Sequence, residues 1–146
     1  MSKVFLVLVF ALLCQSCTGA DRVATYTHKN SGATISIALT SVHRHLAEYD
    51  RDLIVQTVTG VMKRKKLFPD TGGNAAANLY LCSDGKFLVE GYGEQTKVDL
   101  VSGEIESGSC KGTRSYVGIF DGAGSMPWQF YTSSERAERT LEMQGG

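Results

Sequence analysis

Apolar and polar side chains alternate most strictly over residues 33–40, with Ile35, Ile37 and Leu39 on one face and Thr34, Ser36 and Thr40 on the other. A period of two marks a strand with one buried face. Residues 22–30 alternate more loosely and run into Lys29-Asn30-Ser31-Gly32, a turn cluster, so the two runs pair as a first hairpin. Residues 41–62 carry two signals. Val42, Leu46, Tyr49 and Leu53 have helical spacing, whereas residues 53–59 are β-branched. The expectation is a short helix or irregular turn near 41–50, a strand over 52–59 and a break at Gly60.

The strongest local signal lies at 79–89, where Asp84-Gly85 separates two apolar runs. A two-residue type I′ turn there sets Cys82 opposite Phe87, Leu81 opposite Leu88 and Tyr80 opposite Val89. That register puts Tyr80, Cys82, Phe87 and Val89 on one apolar face, and Leu79, Leu81 and Leu88 on the other. Further on, 98–101 reads as a short strand and the Gly- and Ser-rich 102–113 as a loop carrying Cys110. Residues 114–120 alternate, 121–124 turn, and Pro127 opens a strand over 128–131. Leu141 and Met143 alternate with polar neighbours as a last edge strand. The fold class is therefore mainly β: an antiparallel meander curling into a small barrel or half-barrel to cover its apolar face and edges.

Composition narrows the setting. The 146 residues suit one domain and balance 15 basic against 15 acidic side chains, which argues against general nucleic-acid binding. Lys3 followed by an apolar run over 4–13 and small residues up to Ala20 reads as a secretory signal peptide over 1–20, leaving a single β-rich domain over 21–146. Two readings of its end stand. Cleavage after Ala20 frees a soluble chain in the periplasm or medium; lipidation at Cys17 tethers it to a membrane. Cys14 is lost with the leader and Cys17 is kept only if it is lipidated, so Cys82 and Cys110 are expected to form a disulfide.

The segment Leu81-Cys82-Ser83-Asp84-Gly85-Lys86-Phe87, with the Ser/Gly-rich loop and Gly112-Thr113 behind it, resembles a pattern in uncharacterised exported bacterial β-meander domains of lipocalin-like layout. The likeness spans residues 79–131. Arg114 stands where those domains carry Trp. The resemblance implies a β-meander and export, and brings no activity and no site residues.

Candidate chemistry is sparse. His28, His43 and His45 are the only histidines, and no Cys or carboxylate joins them at a metal-ligand spacing. Gly-Ala-Gly-Ser at 122–125 lacks both the nucleophile-elbow and the phosphate-loop context. Lys63-Arg64-Lys65-Lys66 is the one charge run, read as a solvated loop or a lysine-guarded edge strand rather than a seat for anionic headgroups. No cofactor and no catalytic residue is expected. The expected function is a non-catalytic bacterial envelope protein that binds or inhibits another protein, through 63–78 or 91–113. The alternative is a carrier of a small apolar ligand, lined by Tyr80, Phe87, Val89, Tyr116, Phe120 and Trp128.

Overall fold

The computed structural model describes residues 20–43, 45–72, 75–122 and 126–141. Residues 1–19, where most of the expected leader with Cys14 and Cys17 falls, and Met143 lie outside them. Ten strands form two antiparallel sheets. The first is a meander of β1 (Arg22–Thr27), β2 (Thr34–Ser41), β3 (Tyr49–Gln56) and β4 (Met62–Lys66). The second contains β5 (Ala77–Cys82), β6 (Phe87–Gly91), β7 (Glu94–Val98), β8 (Ile105–Ser107), β9 (Arg114–Asp121) and β10 (Gln129–Thr132), in the order β10-β9-β5-β6-β7-β8.

The chain is mainly β, as its alternation predicts, but the meander does not close into a barrel. Two sheets pack face to face instead. Ile35, Ile37, Leu39, Leu53 and Val55 of the first sheet meet Leu79, Phe87, Val89, Val98 and Phe120 of the second. Each such side chain contributes roughly 1.5–3 kcal/mol when fully buried, so the shared core outweighs what either sheet buries alone. Trp128 crosses the interface and donates its indole N–H to the carbonyl of Ile37 at 3.0 Å.

Three expectations are corrected. The described residues contain no helix near 41–50. Asp21 accepts the N–H of Ser41 at 2.6 Å, Val42 bonds back to Glu48, and Tyr49 already pairs with Ser41 and Asp70. Ladder pairing overrides a weak helical spacing. The central hairpin is shifted by one residue: Leu81 faces Phe87, Tyr80 faces Leu88 and Leu79 faces Val89. The turn spreads over Ser83-Asp84-Gly85, closed by Cys82 N–H to Lys86 O at 2.9 Å, with Gly85 at φ +80°. This three-residue loop with glycine in the left-handed position is favoured by the same Asp-Gly pair. A slip of one residue changes which side chains share a face, so Phe87 and Val89 turn inward while Tyr80 and Cys82 turn outward. Last, 98–101 is not a strand of its own. β7 ends at Val98, a turn follows, and β8 lies inside the stretch read as loop.

Cys82 and Cys110 form the expected disulfide, tying β5 to the β8–β9 loop across a separation of 28 residues. Beneath it Tyr80, Leu88 and Tyr116 make a small apolar cluster on the outer face of the six-stranded sheet.

Candidate binding groove at the hairpin tips

The meander order brings four turns to one end of the molecule: β1–β2, β3–β4, β5–β6 and β7–β8. Between them lies a groove of about 280 Å³, walled by Val58, Leu81, Phe87, Leu100 and Val101, with His28, Ser31 and Asp99 at its polar margins. Val101 is 89% exposed and Val58 66%, the two most exposed large hydrophobic side chains among the described residues. Both flank this groove.

Local chemistry holds the turns still. In the β7–β8 turn Asp99 accepts the N–H of Val101 at 2.8 Å and of Ser102 at 3.2 Å, and its carbonyl accepts Gly103 N–H at 2.8 Å. Burial pushes the Asp99 carboxyl up, but those two N–H donors outweigh it and hold the group below the usual carboxylate value. Gly103 sits at φ +75°, where a β-carbon would come within 3.2 Å of the Thr57 methyl and 3.5 Å of Val61 in the β3–β4 turn. Thr57 in turn accepts Val61 N–H at 3.1 Å. The tips of the two sheets are thereby packed on each other, and Val101 and Val58 are presented from rigid turns. In the β1–β2 turn His28 Nδ1 and Ser31 Oγ are 2.9 Å apart, and the His28 ring stands edge-on to Phe87.

His28, Ser31 and Asp99 are residue types that can act as a triad. Here each is engaged in shaping its own turn: Ser31 Oγ also accepts Ala33 N–H, and Asp99 caps two backbone amides. The groove's working surface is aliphatic and aromatic, suited to an apolar side chain.

The residues singled out from the sequence are placed as follows. Phe87, Val89, Phe120 and Trp128 come together in the inter-sheet core, Phe87 also forming a wall of the groove. Tyr80 and Tyr116 stack on the opposite face of the six-stranded sheet, ring centres 5.8 Å apart. Arg114 lies 4.0 Å over the Tyr80 ring and pairs with Glu90 at 2.8 Å. His43 and His45 lie in the β2–β3 loop at the other end, so the three histidines are not brought together. Among the described residues no group of three or more His, Cys, Asp or Glu could hold a metal ion. The charge run forms the edge strand β4, where Arg64 pairs with Asp52 at 2.8 Å and Lys66 with Asp50 at 2.7 Å, while Lys65 reaches Ser107 of β8 at 2.7 Å. Most of its charge is thus engaged within the molecule.

Val58, Leu100 and Val101 were not singled out from the sequence, although 91–113 contains two of them. Their signal is an apolar residue inside turn chemistry: Val58 between two threonines before Gly60, and Leu100-Val101 between Asp99 and Ser102-Gly103. A turn side chain with no core to enter is displayed.

Comparisons with protein-family models, with curated proteins and with solved structures found no match.

Proposed function

We propose that this chain is an exported, non-catalytic protein of the bacterial envelope that binds another protein through the hairpin-tip groove. The observation that carries the reading is the pair Val58 and Val101, held out from locked turns on either side of an apolar groove. Apolar side chains presented from a pre-organised frame bind with little ordering cost. Export rests on the leader expected over 1–20 and is compatible with the Cys82–Cys110 disulfide. β1 enters the fold at the end opposite the groove. A lipid tether at Cys17 would therefore leave the groove facing away from the membrane.

The test is site-specific photo-crosslinking in the native host, with a benzophenone side chain at position 101 or 58 and at Val42 of the far end as control. The expected result is a discrete crosslinked protein from both tip positions and not from the control, lost when the untouched tip valine is changed to Asp. Equal crosslinking from position 42, or none from either tip, would refute the reading.

A small apolar ligand in the same groove is the second reading, favoured by the walls that Phe87, Leu81 and Leu100 contribute. Its volume of about 280 Å³ falls just below the range of about 300–1,000 Å³ usual for small-molecule sites. Native mass spectrometry of gently purified protein separates the two. An added mass that leaves on denaturation supports the ligand.

A further inference from the structure

After β10 the chain turns at 133–135 and residues 136–141 run, without regular secondary structure, over the outer face of the six-stranded sheet. Leu141 packs against the Ala76, Ile119 and Tyr131 cluster and the Arg136 guanidinium lies 4.3 Å over the Tyr131 ring, while polar contacts hold 136–139. The Asn78 side chain, fully buried in β5, treats Arg139 as a strand neighbour would: its Nδ2 donates to the Arg139 carbonyl at 2.7 Å and its Oδ1 accepts the Arg139 N–H at 3.4 Å. Tyr116 donates to the carbonyl of Arg136 at 3.2 Å. Tyr80 donates to the Glu138 carboxylate at 2.5 Å. Asp121 of β9, also buried, takes both arginines, Arg136 directly and Arg139 at 3.5 Å.

Two of these contacts recognise main chain, which any extended peptide offers, and Asp121 recognises two cations three residues apart. Burying Asn78 and Asp121 on a sheet face is costly unless a chain lies over them to satisfy them. The neutral bonds that Asn78 and Tyr116 make to main chain are of the kind that exchanges with water at modest net cost. In recurrent modes of peptide recognition, main-chain hydrogen bonds supply affinity and contacts to individual side chains supply specificity.

We propose that this face is a second interaction surface, specific for an extended peptide with two arginines three residues apart, and that the chain's own residues 136–139 occupy it in cis. It is separate from the hairpin-tip groove and does not depend on it.

The probe is a fluorescein-labelled synthetic peptide of residues 133–141, titrated into the full-length chain and followed by anisotropy. Full-length Arg136→Ala/Arg139→Ala, which loosens the chain's own segment, is expected to bind the peptide saturably and more tightly than the wild type. Adding Asp121→Asn to that variant should weaken binding about tenfold or more, as loss of charge-assisted bonds does, and a peptide with both arginines changed to Ala should not bind. Far-UV circular dichroism checks the fold of each variant. If the loosened variant is unfolded, the wild type with the peptide carrying a benzophenone at the position of Ala137 serves instead; crosslinks are expected in β5 and β9. No saturable binding to the folded variant, equal binding of the arginine-free peptide, or crosslinks away from β5 and β9 would each overturn the proposal, leaving the segment a fixed part of the fold.

Discussion

Arg51 lies on the inward face of β3, 2% exposed, and its guanidinium meets Glu94 of β7 at 2.8 Å. Glu94 also accepts the N–H of Phe68, so one carboxylate ties the two sheets and the β4–β5 loop together. Gly91 makes room for this arrangement, since a β-carbon there would come within 3.1 Å of Arg51 Nη2. Burial pushes the Arg51 guanidinium down from its usual value, and Glu94 and Asp70 oppose that. Breaking one side of a buried pair leaves an uncompensated charge, which typically costs about 3–5 kcal/mol, far more than the pair adds over an apolar substitute. Glu94→Gln should therefore lower unfolding free energy by roughly that amount in urea titration. The double change Arg51→Met/Glu94→Leu should recover most of it. A loss below about 1 kcal/mol in the single variant would show that water reaches the pair. The alternation around β3 predicts a strand, but the identity of the acid facing Arg51, at position 94, has no local signal.

At the scale of elements the central hairpin and its disulfide decide the most. Asp-Gly is compatible with two turn lengths, and the apolar residues on both sides suit either register. The choice falls to packing: only the longer turn sends Leu79, Phe87 and Val89 together into the shared core while Tyr80 and Cys82 face Tyr116 and Cys110. Cys82→Ala removes the clamp over a 28-residue separation. In the chain-entropy account this costs about 3–4 kcal/mol. A clear fall in melting temperature is expected, abolished when wild type and variant are compared under reducing conditions. Equal melting of both under oxidising conditions would mean that the staple contributes nothing. The edge strand β4 shows the same interplay: a run of cations gives no core signal, yet Asp50 and Asp52 on β3 make it a paired strand.

For the molecule as a whole, several carboxylates are held below their usual values, which predicts sensitivity to acid. Backbone N–H of Lys86 and the nearby lysines lower Asp84. Burial raises Glu90, but Arg114, Gln95 and Tyr80 together bring it below the ordinary range. The Thr132 backbone lowers Glu135. In each case the unfolded chain binds the proton first, so the stabilisation is complete above the unfolded value near 4 and is lost as the pH falls through the lower folded value. Melting temperature should hold steady from neutral pH to about 5 and then fall on the way to about 3. Glu90→Gln should flatten that fall, and an unchanged slope would assign the acid sensitivity elsewhere.

The features legible from the residues alone are local. Period-two alternation over 33–40 and 114–120, turn residues at 29–32 and 84–85, and the cysteines Cys82 and Cys110 specify antiparallel strands, their hairpins and one covalent bond. These follow from backbone geometry and side-chain chemistry within a few residues. Features that need a partner far along the chain arise only when the two sheets pack. Two sheets facing each other, rather than one curled into a barrel, arise because β9 pairs with β5 and the strands before β5 form their own ladder. The one-residue register and the Arg51–Glu94 tie follow from burial against that second sheet, and the absence of helix among the described residues near 41–50 follows from ladder pairing of Tyr49 with Ser41 and Asp70. The groove is of the same kind: Val58 and Val101 are 43 positions apart in the sequence, and only the packing of Gly103 on Thr57 makes them two sides of one surface.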